Sequence, residues 1–252
     1  MLYLTNMKLF FSVIIPALNE EVFLPRLLNA LQEQHFTNFE VILIDSESKD
    51  KTVLEAKKYA KSFPLTILTN KIRNVSRSRN MGVENAKGKY IFFIDADNYI
   101  HPAFLQEMET RLKKSYDVII PAVIPDSKKL VYRVNFAIVN RLIQLLKSVG
   151  LYFSTGGNLI IEKGVFNKLK GFDESIFICE DHDLVQRAKK EGFKVDFAYS
   201  PKVVFSVRRL EKEGITMVLK YFVSSLYIVF FGKITKKIYN YEMGGEYFEH
   251  KK

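Results

Sequence analysis

The 252-residue chain has no tryptophan and a single cysteine, Cys179. One thiol cannot close an intrachain disulfide, which excludes a disulfide-stapled scaffold and fits a reducing compartment. The four histidines, His35, His101, His182 and His250, show no zinc or haem spacing. Only "EDHD" around His182 raises metal binding, and the preference of a helix start for acidic residues explains that cluster more simply. No Pro/Gly/Ser-rich stretch marks a linker, and there is no internal repeat. No apolar run reaches the roughly 20 residues that span a bilayer. The opening residues "MLYLTNMKLFFSVIIP" lack the basic start and small-residue cleavage site of a secretory leader, so the working domain is expected in the cytoplasm. An Arg-rich arm and an aromatic nucleic-acid signature are also missing, which makes nucleic acid the least favoured partner.

Positive charge, by contrast, is abundant. A formal net charge of +10 points to anionic partners such as phosphorylated small molecules or lipid headgroups. Short apolar runs, "FFSVIIP", "EVILID", "LTILTN" and "YIFFID", read as strands. They alternate with helical patterns at Phe23 to Gln34, Thr52 to Ser62 and Ser76 to Ala86. That alternation predicts a parallel sheet covered by helices on both faces. Further on, "DVIIPAV" and "NLIIEK" read as strands, "YRVNFAIVNRLIQLLKSVG" as a helix ended by Gly150, and Asp183 to Glu191 as a helix closed by Gly192.

Ligands of open α/β sheets bind beyond the carboxyl ends of the strands. The residues there are Pro16, Ala17, Leu18, Asn19 and Glu20 after the first run, Asp45, Ser46, Glu47 and Ser48 after the second, and Asp95, Ala96 and Asp97 after the fourth. Two aspartates one residue apart at a strand end repel, and a cation relieves the repulsion. Hard oxygen ligands without a Cys or His cluster suit Mg²⁺ or Mn²⁺ bridging to a substrate diphosphate. A solvated "DADN" turn explains the same residues equally well from this motif alone.

Five segments in order shift the balance: "SVIIPALNEE", "EVILIDSESKDKT", "SRSRNMGVENAKGKYIFFIDAD", "TGGNLIIEKGVFNKLKGFDE" and "EDHDLVQRAKKEGFKV". Together they resemble a family 2 glycosyltransferase of the GT-A fold, over about Phe11 to Arg209. The resemblance implies an α/β domain with a mostly parallel central sheet over residues 1–210, followed by an apolar helical tail over residues 211–252. It also implies an inverting enzyme that uses a nucleotide-diphosphate sugar and Mn²⁺ or Mg²⁺. By motif position, Pro16, Ala17, Asn19 and Glu20 line the nucleotide pocket, Asp45 reads the base, and Arg79 lies near base or diphosphate. Asp95 approaches the ribose beside the metal, and Asp97 ligates the metal. Asp181 is the general base with Glu180 beside it, and Thr155, Gly156, Gly157 and Asn158 form part of the acceptor or donor-sugar wall.

Two departures qualify this. Without tryptophan the "QxxRW" signature of processive synthases is absent, so one sugar per encounter is expected. Where many relatives carry a metal-binding histidine the chain reads "VVFSVRRLEKEG", which offers Arg208 and Arg209 to the diphosphate instead. The run Tyr221 to Phe231, followed by Lys233, Lys236 and Lys237, reads as an interfacial helix or hairpin at an anionic inner membrane face, with an ordinary packing helix or dimer contact as the plainer reading. A glycan or lipid-linked acceptor is expected on that ground. Two rival readings share the sheet. A silent nucleotide-sugar sensor would need no base, and a sugar-phosphate nucleotidyltransferase should carry a Gly-rich, Arg-containing loop where "PALNEE" stands.

Overall fold

A computed structural model describes residues 9–176 and 178–235. Lys236, Lys237 and His250 lie outside the described residues. The strands are β1 (Phe11–Ala17), β2 (Phe39–Asp45), β3 (Leu65–Thr69), β4 (Tyr90–Phe93), β5 (Tyr99–Ile100), β6 (Val118–Pro125), β7 (Leu159–Glu162) and β8 (Val195–Phe205). The helices are α1 (Leu24–Gln32), α2 (Thr52–Lys57), α3 (Val75–Asn85), α4 (Phe104–Leu112), α5 (Leu130–Ser148), α6 (Lys163–Lys168), α7 (Glu180–Lys190), α8 (Arg208–Glu213) and α9 (Ile215–Phe231).

All eight strands form one sheet in the order β3-β2-β1-β4-β7-β6-β8-β5. The parallel block expected from the apolar runs is β3-β2-β1-β4. Its inner strands β2, β1 and β4 are buried on both faces, which is why they read as nearly continuous Val, Ile, Leu and Phe, whereas the edge strand β3 is only partly buried. The pleat sends Val13, Ile15, Val41, Leu43 and Phe92 to one core with Leu24, Leu27, Leu28 and Leu31 of α1. It sends Ile14, Ile42, Ile44, Ile91 and Phe93 to the opposite core with α3, α6 and α7.

The second half departs from the parallel pattern. β7 enters from the opposite end and pairs antiparallel with both β4 and β6. The two-residue β5, too short for any periodicity to reveal, pairs antiparallel with β8. Helix ends move by one to three residues, and α2 stops at Lys57, five residues before the expected Ser62. The largest consequence is at α7, which begins at Glu180 and not at the expected Asp183, so that the "ED" pair belongs to its first turn.

α3 lies unusually close to the sheet. A Cβ placed on Gly82 would sit 2.5 Å from Ile14 Cγ2 and 2.9 Å from Ile44 Cδ1. This contact sets the height of α3, and Arg79 sits one turn before it. Gly82→Val should therefore cost about 1–3 kcal/mol of overpacking and lower Tm by roughly 2–10 °C. An unchanged thermal denaturation midpoint would show that the approach is not tight.

Candidate active site

Because β1, β2 and β4 run parallel and adjacent, their carboxyl ends share one edge, with Ala17 opposite Asp45 and Ile94 N–H donating to Ile14 O at 3.2 Å. Pro16 and Ala17 end β1, and Ala17 O accepts from Ser46 N at 2.9 Å. Asn19 then adopts a left-handed φ of 54° that lets it turn between two loops. Its N–H donates to Ser48 Oγ at 2.8 Å and its Oδ1 accepts from Lys49 N at 2.7 Å. Ser48 N in turn donates to Asp45 Oδ2 at 3.1 Å. Asn19 Nδ2 and Asp45 Oδ1 are buried around this turn without a partner among the described residues. A donor and an acceptor left so cost about 1–3 kcal/mol each unless a ligand meets them.

Arg79 joins this edge to the other half of the chain. It is 2% exposed. Its Nη2 donates to Asp95 Oδ1 at 2.9 Å, its Nη1 donates to Glu180 Oε1, and its guanidinium carbon stands 5.5 Å from the Phe172 ring centre. Burial pushes Asp95 and Glu180 above the usual carboxylate range, and the Arg79 charge works against that rise in both. Gly157 has φ 78°, and any Cβ there would strike Arg79 Nη2.

Asp181 follows Glu180 in the first turn of α7. Cys179, just before the helix, is held at φ 61°, a strained conformation for a side-chain-bearing residue. The Cys179 thiol is buried against Ile178, Ile228 and Ile234 and pushed up by that burial, as expected of a packing residue. Asp181 Oδ2 accepts from Gly157 N at 2.7 Å, and Oδ1 accepts from His182 N at 2.9 Å, with His182 Nδ1 at 3.1 Å. Burial opposes its ionisation, but the His182 ring, the Gly157 N–H and Arg79 outweigh burial and hold Asp181 well below the usual range. The two neighbouring carboxylates are thus pushed apart.

The segment Thr155 to Asn158 closes on itself as an isolated bridge. Thr155 Oγ1 donates to Pro121 O at 2.7 Å, and Asn158 Nδ2 donates to Thr155 O at 2.9 Å. Gly156 stands over the Phe205 ring, where a Cβ would meet it at 2.5 Å. The link from this wall to the "DAD" turn is Asn98, which donates from Nδ2 to Asn158 Oδ1 at 3.3 Å and accepts at Oδ1 from Ser206 N at 3.0 Å. Asn98 reads in the sequence only as turn chemistry, Ser48 as a strand-end residue without a role, and Thr52 as a helix start; Ser48 and Thr52 in fact tie the loops after β1 and β2 together. Polar residues directly beside an acidic strand end were the available signal.

Arg208 opens α8 and reaches back across the edge. It forks onto Glu20 through Nη1 at 2.9 Å and Nη2 at 2.5 Å, and its Nε lies 2.8 Å from Asp97 Oδ2. Phe23 lies under its guanidinium at 4.5 Å. Arg209 sits beside it, half-buried. Among the described residues no three His, Cys, Asp or Glu groups gather to enclose a metal. Asp97 nevertheless offers a partly exposed carboxylate at this edge. Hard divalent cations commonly take one or two carboxylates and complete their shells with water and substrate phosphate, so the donor set fits Mg²⁺ or Mn²⁺ on those terms.

The family model described as glycosyl transferase family 2 matches residues 12–170, which contain every strand-end residue above up to the Thr155–Asn158 wall. The chain belongs to glycosyl transferase family 2. Among curated relatives of this family 2 member, an uncharacterised glycosyltransferase of Haemophilus influenzae is 27% identical over 71% of this chain and 62% of its own length. The poly(ribitol-phosphate) beta-N-acetylglucosaminyltransferase TarS of Staphylococcus aureus is 26% identical over 79% of this chain and 39% of the relative. The minor teichoic acid biosynthesis protein GgaB of Bacillus subtilis is 28% identical over 77% of this chain and 23% of the relative. The chain therefore spans less than two thirds of these relatives. Two solved structures share the fold: S. aureus TarS with UDP-GlcNAc, at TM-score 0.65 and 21% identity over 79% of this chain and 59% of that one, and the mannosyltransferase PcManGT of Pyrobaculum calidifontis with GDP-Man and Mn²⁺, at TM-score 0.66 and 19% identity over 86% and 61%. The α/β architecture is that of GT-A glycosyltransferases.

Glu20 supplies a pH test. Burial lifts its carboxyl from 4.5 to about 7; the Arg208 fork opposes that rise, and Asp97 and Asp95 add to it. A raised folded-state pKa means that the folded protein binds more protons than the unfolded one between pH 4.5 and about 7, so stability falls as pH rises through that window. The loss is on the order of 3 kcal/mol. The contact that Glu20→Gln loses with Arg208 gives an offset; the slope is the readout. Tm of Glu20→Gln relative to wild type should climb from pH 4.5 to about 7 and then level off. A constant difference across that range would contradict the burial argument.

Proposed function

We propose that this family 2 member moves one sugar at a time from a nucleotide-diphosphate sugar to an acceptor hydroxyl or phosphate, with inversion at the anomeric carbon. The observation that carries this reading is the Arg79 bridge. One guanidinium ties Asp95, at the strand edge assigned to the donor, to Glu180, the neighbour of the assigned base Asp181. The relatives' names support a UDP- or GDP-linked donor and a cell-envelope glycan acceptor. The buried Asn19 Nδ2 and Asp45 Oδ1 support base recognition, because uracil and guanine edges each present an acceptor and a donor.

In this reading Asp181 takes the proton of the acceptor hydroxyl as its oxygen attacks, the bond from the anomeric carbon to phosphate breaks, and the nucleoside diphosphate leaves with the electron pair. Gly157 N–H and His182 keep Asp181 ionised and aimed. Arg79 stays in the framework, while Arg208 and Arg209 face the growing charge of the diphosphate. Asp97, with Asp95 beside it, would hold Mn²⁺ or Mg²⁺, which when bound neutralises that charge. Thr155, Gly156, Gly157 and Asn158 wall the sugar. A cytoplasmic position at the inner membrane face, with a lipid-linked acceptor, is supported by the net charge of +10 and by the exposed Val223, Tyr227, Phe230 and Phe231 of α9. No helix among the described residues is long and apolar enough to cross a membrane.

UDP-GlcNAc and GDP-Man, each with Mn²⁺ or Mg²⁺, should be screened for binding by calorimetry and for nucleoside diphosphate release. Asp181→Asn should retain donor affinity and lose roughly 10²–10⁴-fold in turnover. Asp97→Ala should lose the metal-dependent part of donor binding. Replacing Arg208 and Arg209 together by Ala should weaken the donor by about tenfold or more. Normal turnover by Asp181→Asn would remove it as the base, and unchanged donor affinity in the arginine variant would remove the diphosphate role.

A further inference from the structure

α5 is held to the sheet along a narrow inner face. Asn140 is buried and forks onto the Val123 backbone, donating from Nδ2 to O at 2.7 Å and accepting at Oδ1 from N at 3.2 Å. Ile143 is buried beside it, Lys147 pairs with the buried Asp196, and Phe136 meets the Phe205 ring at 5.9 Å between centres. The opposite face carries Val131, Val134, Ile138, Leu142, Leu145 and Val149, spaced three, four, four, three and four residues apart, so that they form one stripe along the helix. All six are exposed, from 41% at Leu142 to 71% at Val149. An ordinary surface helix turns its apolar stripe inward, so this outward stripe marks an interaction surface.

Charge identifies the occupant. Between Asp126 and Glu162 the chain has five basic residues, Lys128, Lys129, Arg133, Arg141 and Lys147, and no acidic one. Lys129 is paired with Glu211 and Lys147 with Asp196; Lys128, just before the helix, and Arg141, next to the outward stripe at three residues from Ile138 and four from Leu145, are exposed, while the exposed Arg133 lies two turns from Asn140 on the inner side. A second copy of the chain seated on this stripe would set like charges against like. An apolar ridge with Lys128 at its start and Arg141 along its side instead complements a bilayer whose headgroups are anionic, with the ridge at the acyl boundary and these basic groups among the phosphates. We propose that the outward face of α5 is a docking surface for an anionic lipid bilayer, on which the helix lies without crossing. Through the Phe136–Phe205 contact the inner face of the same helix adjoins the wall at Gly156. Docking therefore brings the bilayer surface close to the site, a consequence that rests on the proposed glycosyl transfer although the docking itself does not.

The test needs no turnover. The full chain should cosediment with vesicles of equal parts phosphatidylcholine and phosphatidylglycerol, and about tenfold or more weakly with phosphatidylcholine alone or in high salt. Ile138→Glu with Leu145→Glu should lower partition to anionic vesicles by about tenfold or more at unchanged Tm, since both side chains face solvent. Lys128→Gln with Arg141→Gln, which leaves the stripe intact, should lower it severalfold. The chain has no tryptophan, so Ile138→Trp adds a lone reporter whose emission should shift to the blue on anionic vesicles. Failure of the wild type to bind, binding unaltered by the α5 substitutions, or a dimer in sedimentation equilibrium that Ile138→Glu with Leu145→Glu splits without any vesicle binding would each overturn the proposal.

Discussion

A guanidinium buried among carboxylates organises this protein. Arg79 is almost wholly enclosed, and burial alone would make its charge costly. It remains because Asp95, Glu180 and Asp181 surround it with opposite charge, and its own charge in turn offsets the burial of Glu180 and favours the ionised form of Asp95. Three elements distant in sequence, α3, the turn after β4 and the start of α7, must therefore arrive at the same point. The small residues around them follow from that requirement: Gly82 lets α3 descend onto Ile14 and Ile44, and Gly157 leaves the space that the guanidinium fills.

The same charge balance separates groups that the sequence presents as equivalent. Glu180 and Asp181 are adjacent, yet one leans on Arg79 and is raised by burial, while the other collects the Gly157 and His182 donors and is lowered. Neighbouring carboxylates driven in opposite directions are a common mark of divided chemical roles. The two arginines divide in the same way. Arg79 is locked in the framework, whereas Arg208 comes from α8, beyond the last strand, and rests on Asp97 and Glu20 at the partly open edge. A cation supplied by the chain thus meets the carboxylate to which the metal is assigned.

Polar fastening also explains what the helices can leave outside. A single amide, Asn140, satisfies both backbone groups of Val123 and fixes α5 to β6, with Ile143 and the Lys147–Asp196 pair completing the attachment. With so narrow an inner face sufficing, the remaining apolar side chains of α5 stay free for a partner.

Much of the parallel half was legible. Runs such as Tyr90 to Ile94 are apolar throughout because a central strand is buried on both faces, and their abrupt ends at Asp45, Asp95 and Asp97 pointed to the strand edge where the candidate site lies. Local periodicity and motif order sufficed for that, since neighbours in a parallel block inherit a common edge. Other features depended on contacts far apart in the chain. The antiparallel entry of β7, the Arg79 bridge to Glu180, the reach of Arg208 to Glu20 and the Asn98 link to Asn158 join residues separated by about sixty to almost two hundred positions. A helical stripe in sequence likewise does not say which way it faces. For α5 the sequence pattern indicates a helix and leaves its facing open; the grip of Asn140 on the sheet sets the Val131-to-Val149 stripe toward solvent. Composition and periodicity determine which residues must leave water or meet a charge, and only the packed chain decides which distant residue answers each of them.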